Sequence, residues 1–188
     1  METINVQKRD FNVKAKKMRR LGMVPGDVFG NSLPESISIQ MEETVARKLI
    51  RLKREGSKLM MNIDGKTVPV QIKEKSLNSV NSEILHISFQ ALTADEKVNS
   101  LIHIIITNDD KIAGILERIH LEIPYASLPE DMIDTITIDV DGMKAGTALT
   151  VGEIPELKSD KIELQIDPDS IVLRVSERKN YTPTAVEG

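Results

Sequence analysis

The chain has 188 residues with a formal net charge of −4, 40% hydrophobic residues, only two Tyr, three Phe and no Trp, so one large or two ordinary domains must pack around aliphatic cores. The absence of cysteine excludes disulfides, thiolate metal sites and cysteine nucleophiles. No apolar stretch approaches the roughly 20 residues of a membrane helix, and METINVQKRD lacks the apolar run of a secretory signal, so a reducing, cytoplasmic setting without membrane partners is expected.

The net charge conceals an asymmetry. Residues 1–94 carry 16 Lys and Arg against 10 Asp and Glu, and residues 95–188 carry 9 against 19. Such a division points to a polyanion for the first half, which the second half would repel. The basic residues crowd at the start: Lys8, Arg9, Lys14, Lys16, Lys17, Arg19 and Arg20, with Asp10 the one acid among them. This cluster leads into Gly22, Pro25, Gly26, Phe29 and Gly30, where small residues allow close backbone approach and a ring offers stacking.

Further along, MEETVARKLIRLKREG, 41–56, predicts an amphipathic helix with Val45, Leu49 and Leu52 on its apolar face, Arg47, Arg51 and Arg54 on another, and Gly56 as a left-handed stop. KLMMNIDGKTVPVQIK, 58–73, predicts a hairpin turning at Asp64-Gly65. The polar run 73–82 reads as a loop. In EILHISFQ, 83–90, alternation predicts a strand with Ile84, His86, Ser88 and Gln90 on one face and Leu85, Ile87 and Phe89 on the other. A junction is expected at 93–99. Beyond it LIHIIIT, ILERIHLEI, TITIDV, KIELQI and SIVLRV, punctuated by Pro, Gly and Asp, predict a mostly antiparallel β domain.

Catalytic signatures are missing: there is no Gly-rich phosphate loop, G-x-S-x-G elbow or H-E-x-x-H. His86, His103 and His120 lack ligand spacing and read as ordinary surface or core residues. Asp139 and Asp141 before Gly142 lack the remaining calcium ligands, and a hairpin turn is the expected explanation. Neither an enzyme, a metal site nor a cofactor is expected.

MRRLGMVPGDVFG, 18–30, resembles the L-R-R-x-G-x-V-P-x-x-x-Y-G signature of the bacterial 5S-rRNA-binding ribosomal protein family whose two-domain members are called Ctc or general stress proteins. VPVQIKEKSLNSVNSEILHISF, 68–89, is similar to the family stretch that ends H-V-D-F, and LPEDMIDTITIDVDGMKAGTALTVGEI, 128–154, to the second domain's L-P-x-x-I-x-x-D-V-x-x-L-x-x-G segment. The resemblance implies a mostly β, α+β protein. Its expected parts are a 5S-rRNA-binding β-barrel with helices at 1–93, an acidic antiparallel β domain at 94–177 and a flexible tail at 178–188. It also implies a large-subunit ribosomal protein, monomeric off the ribosome. The barrel would grip the loop E region of 5S rRNA, and the acidic domain would face neighbouring ribosomal components.

The family's RNA-contact positions fall on Arg9, Arg19, Phe29, His86 and Ser88. Lys14, Lys16, Lys17 and Arg20 join them as phosphate-neutralising candidates. Two positions depart from the family. Phe29 stands where a Tyr is usual and lacks the hydroxyl, and Ser88 stands where an acid is usual and is a poorer acceptor. The loop 74–82 also lacks the family's glutamine and basic residues near Ser76 to Asn78. At about 1–2 kcal/mol for each lost hydrogen bond, the two substitutions predict roughly 30- to 1000-fold weaker binding. A diverged Ctc-like paralogue with weak or no 5S rRNA binding and another partner is therefore the alternative.

Overall fold

In TINVQK the apolar Ile4 and Val6 alternate with polar neighbours, and they are the buried residues of strand β1 (Thr3–Lys8). The same period-two logic generates β2 (Met23–Phe29), β3 (Ile37–Glu42), β4 (Lys58–Ile63), β5 (Lys66–Leu77) and β6 (Ile84–Ala91). These six close into a barrel in the order β1-β3-β2-β6-β5-β4, with the parallel pairing of β1 to β4 sealing it. The computed structural model describes residues 3–177, and the predicted tail at 178–188 lies outside the described residues. The barrel core is aliphatic except for one ring: Val28, Ile39, Leu59, Met61, Val70, Ile72 and Ile87 surround Phe89, all fully buried.

Helix α1 (Ala15–Arg20) connects β1 to β2, and helix α2 (Glu43–Leu52) connects β3 to β4. The predicted apolar face of α2 holds at Leu49, which is buried, and at Val45, which packs on the core. It fails at Leu52, whose side chain is 56% exposed, while Ala46 takes the inward position. Nor does Gly56 stop the helix, which ends at Leu52 with Lys53 as an extended cap. The Asp64-Gly65 turn does join β4 to β5, and both residues have positive φ, as a type I′ turn requires.

The stretch 73–77, expected to be loop, is strand instead. Lys75 and Ser76 pair with Ile87 and His86, so β5 reaches Leu77 because β6 offers a partner, not because its own residues favour extension. The ladder slips between Ser76 and Leu77, which face His86 and Ile84. Leu85 is thus the extra residue of a bulge. Ile84 consequently turns into the core, away from the face it was expected to share with His86.

Beyond the barrel lie β7 (Val98–Thr107), β8 (Ile115–Arg118), β9 (Glu122–Ser127), β10 (Thr135–Asp139), β11 (Ala148–Thr150), β12 (Glu163–Leu164) and β13 (Ile171–Ser176). They form a four-stranded sheet, β10-β7-β9-β12, and a three-stranded sheet, β11-β13-β8. All pairs here are antiparallel except β7 with β10. The single predicted run 115–123 divides into β8 and β9, which belong to different sheets. The expected hairpin at Asp139 to Gly142 is a turn between sheets, since β10 and β11 do not pair, and Asp139 caps it by accepting from the Asp141 backbone N–H at 2.9 Å.

Tyr125 is fully buried in the four-stranded sheet. Its hydroxyl donates to the Ile133 carbonyl at 3.0 Å and accepts from the Ile133 N–H at 2.8 Å. Burial pushes the phenol above its ordinary range. Tyr125→Phe leaves two backbone groups without that partner, and a loss of about 1–2 kcal/mol in urea denaturation is expected. An unchanged midpoint would mean that solvent replaces the hydroxyl.

The barrel and the second part meet along β7. The His103 Nε2 atom lies 2.8 Å from the Glu55 carbonyl oxygen, and the Gln71 amide donates to the Asn99 carbonyl at 3.2 Å. Lys58 Nζ donates to the Pro129 carbonyl at 2.5 Å. His103 is thus a buried, hydrogen-bonded histidine, as its sequence context implied.

Candidate nucleic-acid interface

In β6, burial of Ile87, Phe89 and Ala91 forces His86, Ser88 and Gln90 to the outside of the barrel. The neighbour of β6 is β2, aligned in parallel, with Asp27 beside Ser88 and Phe29 beside Gln90. Asp27 is matched in turn to Ser38 on β3, and the Ser38 carbonyl accepts from the Arg9 N–H at 3.0 Å just beyond β1. Arg9, Ser38, Asp27 and Ser88 therefore form one row across the barrel wall, with His86 and Phe29 one outward step to either side. Residues separated by as many as 79 positions are brought together by register alone.

The row contains a compact polar cluster. The Ser88 hydroxyl donates to Asp27 Oδ1 at 2.7 Å. The imidazole of His86 presents Nδ1 to the Ser88 oxygen at 3.4 Å and Nε2 to Asp27 Oδ1 at 3.4 Å. Both His86 and Asp27 remain accessible, with side-chain exposures of 39% and 31%. A carboxylate thus stands beside the histidine although Ser88 is not acidic.

Phe29 is outside the barrel core and partly exposed, in line with Asp27 on the outer face of β2. The ring packed inside the barrel is that of Phe89. Arg9 stacks its guanidinium 5.7 Å from the ring centroid of Phe11, and its Nε is buried with no hydrogen-bond partner among the described residues. Phe11 itself is 77% exposed. A cation on a bare ring is suited to stacking on a base.

Helix α1 is anchored by one buried side chain, Met18, which leaves Lys14 at its cap and Lys16, Lys17 and Arg20 exposed to solvent. Arg19 behaves differently. Its Nε donates to Glu83 Oε1 at 2.9 Å, and only 18% of its side chain is accessible. The Arg19 hydrogen bond and charge, helped by Asn81 and Lys16, hold the Glu83 carboxyl below its ordinary range. Because Glu83 immediately precedes β6, this pair ties the basic helix to the strand that carries His86 and Ser88.

The second basic stripe expected on α2 is present only in part. Arg47 pairs with Glu43 one turn earlier at 2.6 Å and Arg51 is exposed, while Arg54, also exposed, lies beyond the end of the helix at Leu52. Two residues of the candidate interface were missed in the sequence. Phe11 was visible as an aromatic inside the basic cluster. Asp27 was not, because the pairing of β2 with β6 leaves no local pattern.

A family model described as the Ribosomal L25p family matches residues 4–89, and one described as Ribosomal protein TL5, C-terminal domain, matches residues 97–179. The chain is 29% identical over 187 residues to the large ribosomal subunit protein bL25 of Carboxydothermus hydrogenoformans, covering 96% of this chain and 92% of that protein. The bL25 protein of Gloeothece citriformis is 28% identical over 192 residues, covering 98% and 96%. That of Listeria monocytogenes is 23% identical over 190 residues, covering 98% and 91%.

Proposed function

This chain belongs to the Ribosomal L25p family, its second part being of the TL5 C-terminal type, and from that premise we propose that its barrel, residues 1–93, binds the loop E region of 5S rRNA within the large ribosomal subunit. The observation that carries this reading is the row of Arg9, Asp27 and Ser88, with His86 and Phe29 alongside, on one wall of the barrel and tied through Glu83 to the basic helix.

Recognition works by division of labour. Lys14, Lys16, Lys17 and Arg20 neutralise phosphates, which supplies affinity and orientation without reading sequence. Arg9 and Phe29 present flat surfaces, and His86 with the Asp27–Ser88 pair presents donors and acceptors. A wide, shallow RNA minor groove exposes base edges and 2′-hydroxyls to such a wall. Arg19 serves by fixing α1 against β6 through Glu83. The acidic part, 94–177, is repelled by RNA phosphates and turns to neighbouring ribosomal components. The chain acts at the ribosome in the cytoplasm, without catalysis or a cofactor. The carboxylate beside Ser88 weighs against the diverged paralogue, whose main support was the missing acid.

Titration of the full chain with a 5S rRNA transcript at several salt concentrations tests the reading. Submicromolar binding is expected, falling steeply with salt. Replacing Lys14, Lys16 and Lys17 together by Gln should flatten the log–log slope by about two to three, at close to one counterion per phosphate contact. Binding that is weak and indifferent to salt would sink the proposal.

A further inference from the structure

The geometry points to Asp27 as the residue that restores, from a neighbouring strand, the acceptor which Ser88 cannot supply. Ser88 has no charge, yet it does not stand alone. Its hydroxyl hydrogen is spent on Asp27 Oδ1 at 2.7 Å, and the same oxygen lies 3.4 Å from His86 Nε2. Asp27 and Ser88 are cross-strand partners in the parallel β2–β6 pair, so their side chains leave the wall side by side, within the reach of adjacent strands.

Three consequences follow from the chemistry. First, a carboxylate has two oxygens and about four acceptor positions. The Oδ1 contacts with Ser88 and His86 leave Oδ2 to accept from a donor on the RNA, a base amino group or a 2′-hydroxyl. Second, Ser88 fixes the orientation of that carboxylate, and both together hold the imidazole edge, so His86 is a positioned group and not a loose one. Third, the Asp27 and His86 side chains stay 31% and 39% accessible, so a donor on a partner can reach the carboxylate where it stands. This inference rests on the RNA-binding reading above and assigns the specificity-determining acceptor within it.

The assignment reverses the effect expected of repairing Ser88. An acid introduced at Ser88 would stand within contact distance of Asp27, and two carboxylates so close cannot share the site without repulsion. Ser88→Asp alone is therefore expected to weaken binding. Moving the charge is expected to preserve it: Asp27→Val with Ser88→Asp returns the acid to β6 and leaves one carboxylate beside His86.

The experiment measures 5S rRNA affinity for the wild-type full chain, Asp27→Asn, Ser88→Asp and the Asp27→Val, Ser88→Asp double variant, with thermal midpoints recorded alongside. Asp27→Asn is nearly isosteric and should lose about ten- to a hundredfold in affinity, the worth of a hydrogen bond to a charged group, with its midpoint unmoved. Ser88→Asp should also bind more weakly than wild type, and the double variant should recover most of the loss. If the wild type binds and Asp27→Asn binds equally well, the assignment is wrong while the RNA-binding reading stands. If Ser88→Asp tightens binding in the presence of Asp27, the assignment is likewise wrong. If the wild type does not bind the transcript at all, both fall together.

Discussion

Replacing Phe89 by alanine is expected to lower the stability of the barrel by about 3–5 kcal/mol, the range for truncating a buried ring. Phe89 is fully buried in β6, where it pairs with Val28 on β2 and Ile72 on β5, and it is the one aromatic side chain of its core cluster. Around it stand branched and straight aliphatic residues from every strand of the barrel, held by the closed hydrogen-bond ladder. Closed walls cannot collapse inwards far, so the cavity persists and the loss falls towards the upper end of the range. For a domain of this size that corresponds to a fall of about 15 °C or more in the melting temperature. Phe89→Leu keeps most of the volume and should cost less than about 1.5–2 kcal/mol. Thermal denaturation followed by far-ultraviolet circular dichroism separates the two variants. Phe89→Ala melting within a few degrees of the wild type would show that the barrel core is not organised around this ring. Since His86 and Ser88 occupy the outer side of the same strand, RNA affinity should fall with the folded population and return on cooling.

The legible and illegible parts of this molecule divide along one physical line. Period-two alternation is local, so the 86–90 part of β6 could be read directly, as could the Asp64-Gly65 turn. Pairing is not local. The strand character of Lys73 to Leu77 comes from β6 across the ladder, and the inward turn of Ile84 comes from a bulge at Leu85 that no alternation rule contains. Leu52 satisfied the helical spacing yet lies at the last residue of α2, where the chain departs towards β4 and no wall remains to cover it. The division of 115–123 between two sheets, and the parallel pairing of β7 with β10, likewise depend on partners far along the chain.

The site shows the same division. Arg9, Arg19, Phe29, His86 and Ser88 could be named because family positions fall on them, and Lys14, Lys16, Lys17 and Arg20 because positive charge crowds there. Their neighbours could not. Glu83, which engages Arg19, lies 64 residues from it, and Asp27, which engages Ser88, lies 61 residues from it. Ser88 carries no charge of its own, and the carboxylate beside it comes from a strand that its place in the chain does not reveal. Space, not position, is what a ligand meets.

Gly56→Ala is expected to separate the two parts of the chain. Gly56 has φ of +85°, and a Cβ added there would stand 2.4 Å from the Ser100 hydroxyl oxygen, 3.0 Å from the Leu101 carbonyl oxygen and 3.1 Å from the Leu101 nitrogen. A left-handed conformation costs an alanine about 1–2 kcal/mol, and overpacking adds about 1–3 kcal/mol. The Ser100 side chain can rotate aside, but Leu101 contributes backbone, so relief requires β7 itself to withdraw. Withdrawal breaks the contacts made on either side: His103 Nε2 to the Glu55 carbonyl at 2.8 Å, the Ser100 hydroxyl to the Gly56 carbonyl at 3.4 Å and the Gln71 amide to the Asn99 carbonyl at 3.2 Å. Barrel strands and the β7 sheet each keep their own cores, so the strain is concentrated between them. The expected result is a loss of about 2–5 kcal/mol in the coupling of the two parts, seen as two separated thermal transitions and as faster protease cleavage within residues 93–97. Adding Ser100→Ala removes the 2.4 Å clash and leaves the two backbone contacts, so it should restore only part of the coupling. A Gly56→Ala chain that melts in one transition at the wild-type midpoint would mean that the parts are held together by something other than this close approach.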